Sequence, residues 1–184
     1  MLNLLARFAK ARALFRRAQG GLAAIEFALL APVMAAMFLG SIELADALNC
    51  NQKVTGMAAT AADLIAQETN ATNADVTNVF SAVNAIVYPY PVTGMKIVIS
   101  CLTDDSHGGG KVTWSDAQNA TARTVGSTVT VPSGVITTGG SVILAEITYP
   151  YNSPVTDYIT GTLNMTSTFY ARPRRSTTIT RTAS

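Results

Sequence analysis

The stretch Gly20–Asp46, GGLAAIEFALLAPVMAAMFLGSIELAD, decides how the rest of the chain is read. From Phe27 to Ile42 every residue is apolar or small, and Ser41 carries the only side-chain hydroxyl. Ala23, Ala24 and Ile25 extend the run upstream, so Glu26 is the single charge between Leu22 and Ile42. About 20 mostly apolar residues are enough for a helix to cross the hydrocarbon core of a bilayer. Arg7, Lys10, Arg12, Arg16 and Arg17 precede the run, and no acidic residue comes before Glu26. That asymmetry predicts a cytoplasmic N-terminus and an exported remainder.

Glu26 is the informative residue of the run. A charged side chain at mid-bilayer costs roughly 2.5–3.5 kcal/mol on insertion scales, which marks it as a functional candidate. A basic leader ending in glycine, with glutamate five residues after Gly21, resembles the processing signal of type IV pilins. The resemblance implies that a membrane-embedded prepilin peptidase cuts between Gly21 and Leu22. Four helical steps then separate the new amine of Leu22 from Glu26, about 6 Å at 1.5 Å per residue. The amine of one subunit would reach Glu26 of a neighbour displaced slightly along the helix axis. In lipid such a pair neutralises two charges that are each costly alone. The alternative is a plain signal anchor, with Glu26 at the cytoplasmic interface. A signal-peptide cut at Ala45-Asp46-Ala47 fits less well, because the apolar core is long and Asp46 sits within the site.

The remainder sets the fold class. The 184 residues are 48% hydrophobic and only 13% charged, with a formal net charge of +2. From Cys50 onward the eight basic residues are matched by eight acidic ones, and no basic stripe carries interleaved aromatics, so nucleic acid is not an expected partner. Leu44, Leu48, Met57, Ala58, Ala61, Leu64 and Ile65 recur at helical spacing, which predicts one long helix from Leu22 to about Gln67 with Pro32 inside it. A second helix is expected from Thr72 or Asn73, with Asp75 in its first turn and a stripe of Val76, Val79, Phe80, Val83 and Val87. Tyr88-Pro89-Tyr90-Pro91 ends it. Strands are expected at Lys96–Ser100, Lys111–Ser115, Ser141–Tyr149 and Leu163–Tyr170, with 116–140 a glycine-punctuated loop. The fold class is α+β: a long N-terminal transmembrane and amphipathic helix, a second helix and an antiparallel sheet of about four strands. The chain divides into a basic cytoplasmic leader (1–21), a transmembrane helix (22–48), a periplasmic α+β domain (49–175) and a flexible tail (176–184).

With these parts in order, Arg16-Arg17 followed by GGLAAIEFALLAP, the SIELADAL continuation, and the later YPYP, AEITYPY and ARPRRS segments resemble TadE/TadG-type proteins of the tight-adherence (Flp) pilus assembly system. The resemblance implies a non-enzymatic minor pilin or pseudopilin held by one span in the bacterial inner membrane, with its domain in the periplasm. Its implied partners are membrane lipid, other pilus assembly proteins and pilins, and the prepilin peptidase. The implied role is assembly of a thin pilus used in surface attachment. The competing class is a signal-anchored periplasmic domain that binds an envelope component.

Cys50 and Cys101 are the only cysteines. On the oxidising side of the membrane an even pair favours a disulfide. Closing a loop of about 50 residues would stabilise the fold by roughly 4 kcal/mol in the chain-entropy account. His107, the sole histidine, lies beside Asp104 and Asp105 on a glycine-rich turn with too few ligands for a metal, and Gly108-Gly109-Gly110-Lys111 lacks the phosphate-loop spacing. No catalytic residue, cofactor or metal is expected.

Overall fold

The computed structural model describes residues 12–13, 20–153 and 161–183. Of the basic leader, Arg7, Lys10, Arg16 and Arg17 lie outside them. The chain forms two compact units, Met1–Leu44 and Ala45–Ser184. Helix α1, Gly20–Ala66, supplies the described core of the first and the opening element of the second. It runs through Pro32 without a break, close to the bounds its periodicity predicts.

In the first unit the large apolar side chains of α1 are exposed among the described residues. Leu22, Ile25, Phe27, Leu29, Met37 and Phe38 are each more than 60% exposed. In the second unit the same helix turns amphipathic. Cys50, Val54, Met57, Ala58, Ala61, Ala62, Ile65 and Ala66 are fully buried. Their spacing of three and four residues places them on one stripe.

Helix α2, Asn73–Ile86, follows a two-residue strand β1, Asn70–Ala71. Its start is set by a capping box. The Asp75 amide donates to Thr72 Oγ1 at 3.2 Å, and the Thr72 amide donates to Asp75 Oδ2 at 2.9 Å. Two backbone donors that the helix cannot satisfy itself are thereby met. The Thr72 hydroxyl, then its backbone amide, hold the Asp75 carboxyl below the usual range. At the other end Lys53 Nζ donates to the Ile86 carbonyl at 3.2 Å. Val76, Val79 and Val83 are buried as their stripe predicts.

The main sheet is antiparallel, in the order β4-β3-β2-β5-β6. Its strands are β2 Lys96–Asp104, β3 Gly110–Gln118, β4 Thr128–Val129, β5 Ser141–Tyr151 and β6 Leu163–Ala171. Alternation along the strands gives two faces. Ile97, Ile99, Cys101, Trp114, Ile143, Ala145, Ile147, Tyr149 and Met165 share one core with α1 and α2. On the opposite face Leu102, Val112, Val142 and Leu144 form a second core with Val131. The cover there is the segment read from sequence as a loop, which also contributes β4 as a fifth, two-residue strand.

The last residues differ from the sequence expectation of a flexible tail over 176–184. Strand β7, Thr180–Arg181, pairs in parallel with β1. Ile179 is 1% exposed, and its carbonyl accepts from Trp114 Nε1 at 2.8 Å. Arg181 joins three elements: Nε to Asp116 Oδ2 at 2.8 Å, Nη2 to Asn73 Oδ1 at 2.6 Å, and Nη1 to the Ala71 carbonyl at 3.3 Å. One buried apolar side chain and one multiply bonded guanidinium outweigh the polar composition of the segment. Ile179→Ala should therefore destabilise the full chain in detergent by about 2–5 kcal/mol, the usual range for emptying a filled core position. Chemical denaturation followed by Trp114 fluorescence measures it, and a change within half a kcal/mol, as a solvated tail would give, would show that the segment does not contribute.

Candidate functional site

The sequence singles out Gly21, Leu22 and Glu26 together, and the structure sets all three within the first two turns of α1. Glu26 is exposed and has no ion-pair partner among the described residues. A Cβ added at Gly21 meets nothing within 4 Å, so a larger side chain there is accommodated by this fold. The only hydroxyl of the apolar run, Ser41 Oγ, donates to the Phe38 carbonyl at 2.7 Å and is satisfied inside the helix. Among the described residues, Glu26 is thus the one polar side chain of the run without a partner. Helix α1 is long and apolar enough to cross a membrane, and none of its most apolar window is buried.

Cys50 lies on the buried stripe of α1 and Cys101 on the inward face of β2, both in the main core and both as free thiols. Burial pushes the Cys50 thiol up to about 11; the Asp46 carboxylate adds to the shift and Lys53 opposes it. It stays protonated at neutral pH, which suits a packed thiol rather than a nucleophile.

A cluster near Cys50 escaped the sequence reading. Tyr90 Oη donates to the Asp46 carbonyl at 3.1 Å and approaches Asp46 Oδ1 at 3.3 Å. Tyr149 Oη donates to the Pro91 carbonyl at 2.9 Å. The Tyr90 ring meets those of Tyr149 and Tyr151 edge-on, with centroids 6.5 and 6.2 Å apart. Burial, with Cys50 and Tyr90 adding to it, drives the Tyr149 phenol up to about 12. Burial is also the chief cause of the upward shift at Tyr90, ahead of Asp46. The YPYP and AEITYPY segments were the available signal, yet nothing local says that they meet each other and the helix.

His107 sits in the β2–β3 turn. The Asp105 carboxylate accepts the amides of His107 and Gly109, both at 2.8 Å, and those bonds hold its carboxyl low. Ser106 and Gly108 both have positive φ. The arrangement is a hydrogen-bonded turn. Among the described residues no group of three or more histidines, cysteines or acids is placed to hold a metal ion.

These features define an α+β protein with a single N-terminal helix suited to anchoring in a membrane. The family model described as TadE-like protein matches residues 21–63, so the chain is similar to that family along most of α1. It stops three residues before α1 ends and leaves the sheet uncovered. No curated protein and no solved structure matches the chain.

The raised thiol and phenol give the reduced protein an alkaline limit. Both groups are neutral in the fold, with values above the ordinary 9.0 and 10.0. Their contribution is therefore complete below the ordinary values and is lost as pH rises through about 11 for Cys50 and about 12 for Tyr149. Denaturation midpoints measured under reductant should be level through neutral pH and fall in that alkaline window. Tyr149→Phe should flatten the upper part of the fall, and an unchanged profile in that variant would remove Tyr149 as its source.

Proposed function

We infer that the chain is a minor pilin or pseudopilin-like subunit that takes part in assembling a Tad pilus for surface attachment. The observation that carries this reading is the uncovered apolar length of α1, with Glu26 unpaired on it, inside the segment that matches the TadE-like family. A span that served only as a tether would need no carboxylate at all.

In this reading the N-terminus is cytoplasmic, α1 crosses the inner membrane, and the α+β unit lies in the periplasm. Prepilin peptidase cuts between Gly21 and Leu22, and the freed amine of Leu22 pairs with Glu26 of a neighbouring subunit. Lipid, other pilus assembly proteins and pilins are the partners. The role is structural, with no chemistry of its own. The basic residues before Glu26 and the burden of an isolated charge in lipid support the scheme. Cys50 and Cys101 form a disulfide in exported protein, tying β2 to α1; their common place in the main core supports the pairing.

Gly21→Tyr should keep the full-length mass, because the fold has room for the side chain but the peptidase loses its glycine. Glu26→Gln should still lose the leader yet fail to support piliation. Intact-mass measurement on membrane-extracted protein and electron microscopy of the cells read the two halves. Wild-type protein still beginning at Met1 in a piliated cell would reduce α1 to an ordinary anchor, and normal piliation with Glu26→Gln would remove the ion-pair role.

The disulfide has its own test. Non-reducing peptide mapping of exported protein should recover Cys50 and Cys101 in one linked species. Full alkylation of both thiols in unfolded, unreduced protein would end that part of the reading.

A further inference from the structure

The turn after α2 has an unusual surface. Tyr88 is 77% exposed and Val92 47% exposed, with Pro89 and Pro91 also on the outside. No charged residue occurs from Val76 to Met95, and exposed Lys96 follows directly. Exposure here is not looseness. Tyr90, between the two outward residues, turns inward and is held to Asp46, while Tyr149 holds the Pro91 carbonyl. The Tyr90 amide donates to the Val87 carbonyl at 2.9 Å, and the Met95 amide to the Val92 carbonyl at 3.2 Å. The fold thus fixes a phenol ring, two prolines and a valine pointing away from its own core.

The anchor point of that turn indicates what covers it. Asp46 comes four residues after Ile42, where the apolar run ends, and Glu43 and Asp46 are the first carboxylates past the run. Charges at that point of a spanning helix mark the headgroup level, and the Tyr90–Asp46 bond brings the turn to the same level. Tyrosine is enriched at membrane–water interfaces, where its ring meets the acyl boundary and its hydroxyl meets water. Pro89 and Pro91 have no amide hydrogen, so the turn offers few backbone donors to a protein partner. Lys96 beside it suits anionic headgroups.

We propose that the Tyr88–Val92 turn is a lipid-contact lip that seats Tyr88 and Val92 in the headgroup region of the bilayer crossed by α1. The proposal rests on the reading of α1 as a membrane span. The lip would give the exported unit a second attachment to the membrane, beside the helix, and so restrict how that unit lies on the surface.

The test uses the full chain reconstituted into phosphatidylcholine–phosphatidylglycerol vesicles with brominated acyl chains, which quench nearby indoles. Trp114, the only native tryptophan and 7% exposed, gives a common baseline. Tyr88→Trp adds an indole on the lip, and Val125→Trp adds one at a comparably open position, 65% exposed in the native chain, on the segment covering the other face of the sheet. The added emission of Tyr88→Trp should be largely lost in brominated vesicles and kept in unbrominated ones, while that of Val125→Trp is kept in both. Equal quenching at the two positions, or none at either, would overturn the lip while leaving the span intact. Release of the chain from the vesicles by alkaline carbonate would defeat the span itself, and the lip with it.

Discussion

One unbroken helix has to satisfy two surroundings, and the rest of the structure depends on that constraint. Up to Leu44 the large apolar side chains of α1 are exposed among the described residues; from Cys50 the buried stripe builds one wall of a core. A helix suits both tasks because its backbone donors and acceptors are met within the segment, which a hydrocarbon medium requires. Pro32 removes one donor on the exposed side of the transition, where spanning helices tolerate such a loss. The change of surroundings is made by side chains alone.

Past the transition, residue size governs the packing. Ala58, Ala61, Ala62 and Ala66 alternate with Val54, Met57 and Ile65 on the buried stripe, so the helix presents a low ridge between larger knobs. A sheet so covered on one face still has another to hide. Residues Ser141–Ala145 of β5 are buried without alternation, because the segment between β3 and β5 covers the second face. That segment is pinned by a two-pronged ion pair, Arg123 Nε to Glu146 Oε2 at 2.8 Å and Nη2 to Oε1 at 2.6 Å. The two side chains remain 34% and 27% exposed, so the pair fixes position more than it adds stability.

What could be read from the sequence follows from how far apart the interacting residues are. Both helices and the four long strands carry their period within a dozen residues, and the Thr72–Asp75 cap is complete in four. The cover of the outer face has no such signature: Val129, Val131, Val135 and Ile136 are scattered among Gly, Pro, Ser and Thr, and only the sheet gives them a common direction. Ile179 is a lone apolar residue in a polar tail, and the partners of Arg181 lie 65, 108 and 110 residues away. In the candidate site the contrast is the same. Gly21 and Glu26 announce themselves by spacing, whereas Tyr90 meets Asp46 across 44 residues and Tyr149 meets Pro91 across 58. Cys50 and Cys101, read from the sequence as a disulfide pair, both lie in the main core, where they are thiols.

The distribution of paired charge carries the argument one step further. In the α+β unit, Asp63 meets Arg174, Asp116 meets Arg181, Glu146 meets Arg123, and Asp75 is bonded by Thr72. These acids lie where water would hydrate them at little cost, so their pairing is a modest gain. Glu26 lies on the apolar run of α1, where it has no ion-pair partner among the described residues. If α1 spans a membrane, as proposed above, Glu26 is the carboxylate whose isolation would cost most in a single subunit. The imbalance argues for a cation from outside the chain. On that reading the cation would come from another spanning segment, and the amine of a processed neighbour would meet the need with no further basic residue in the span.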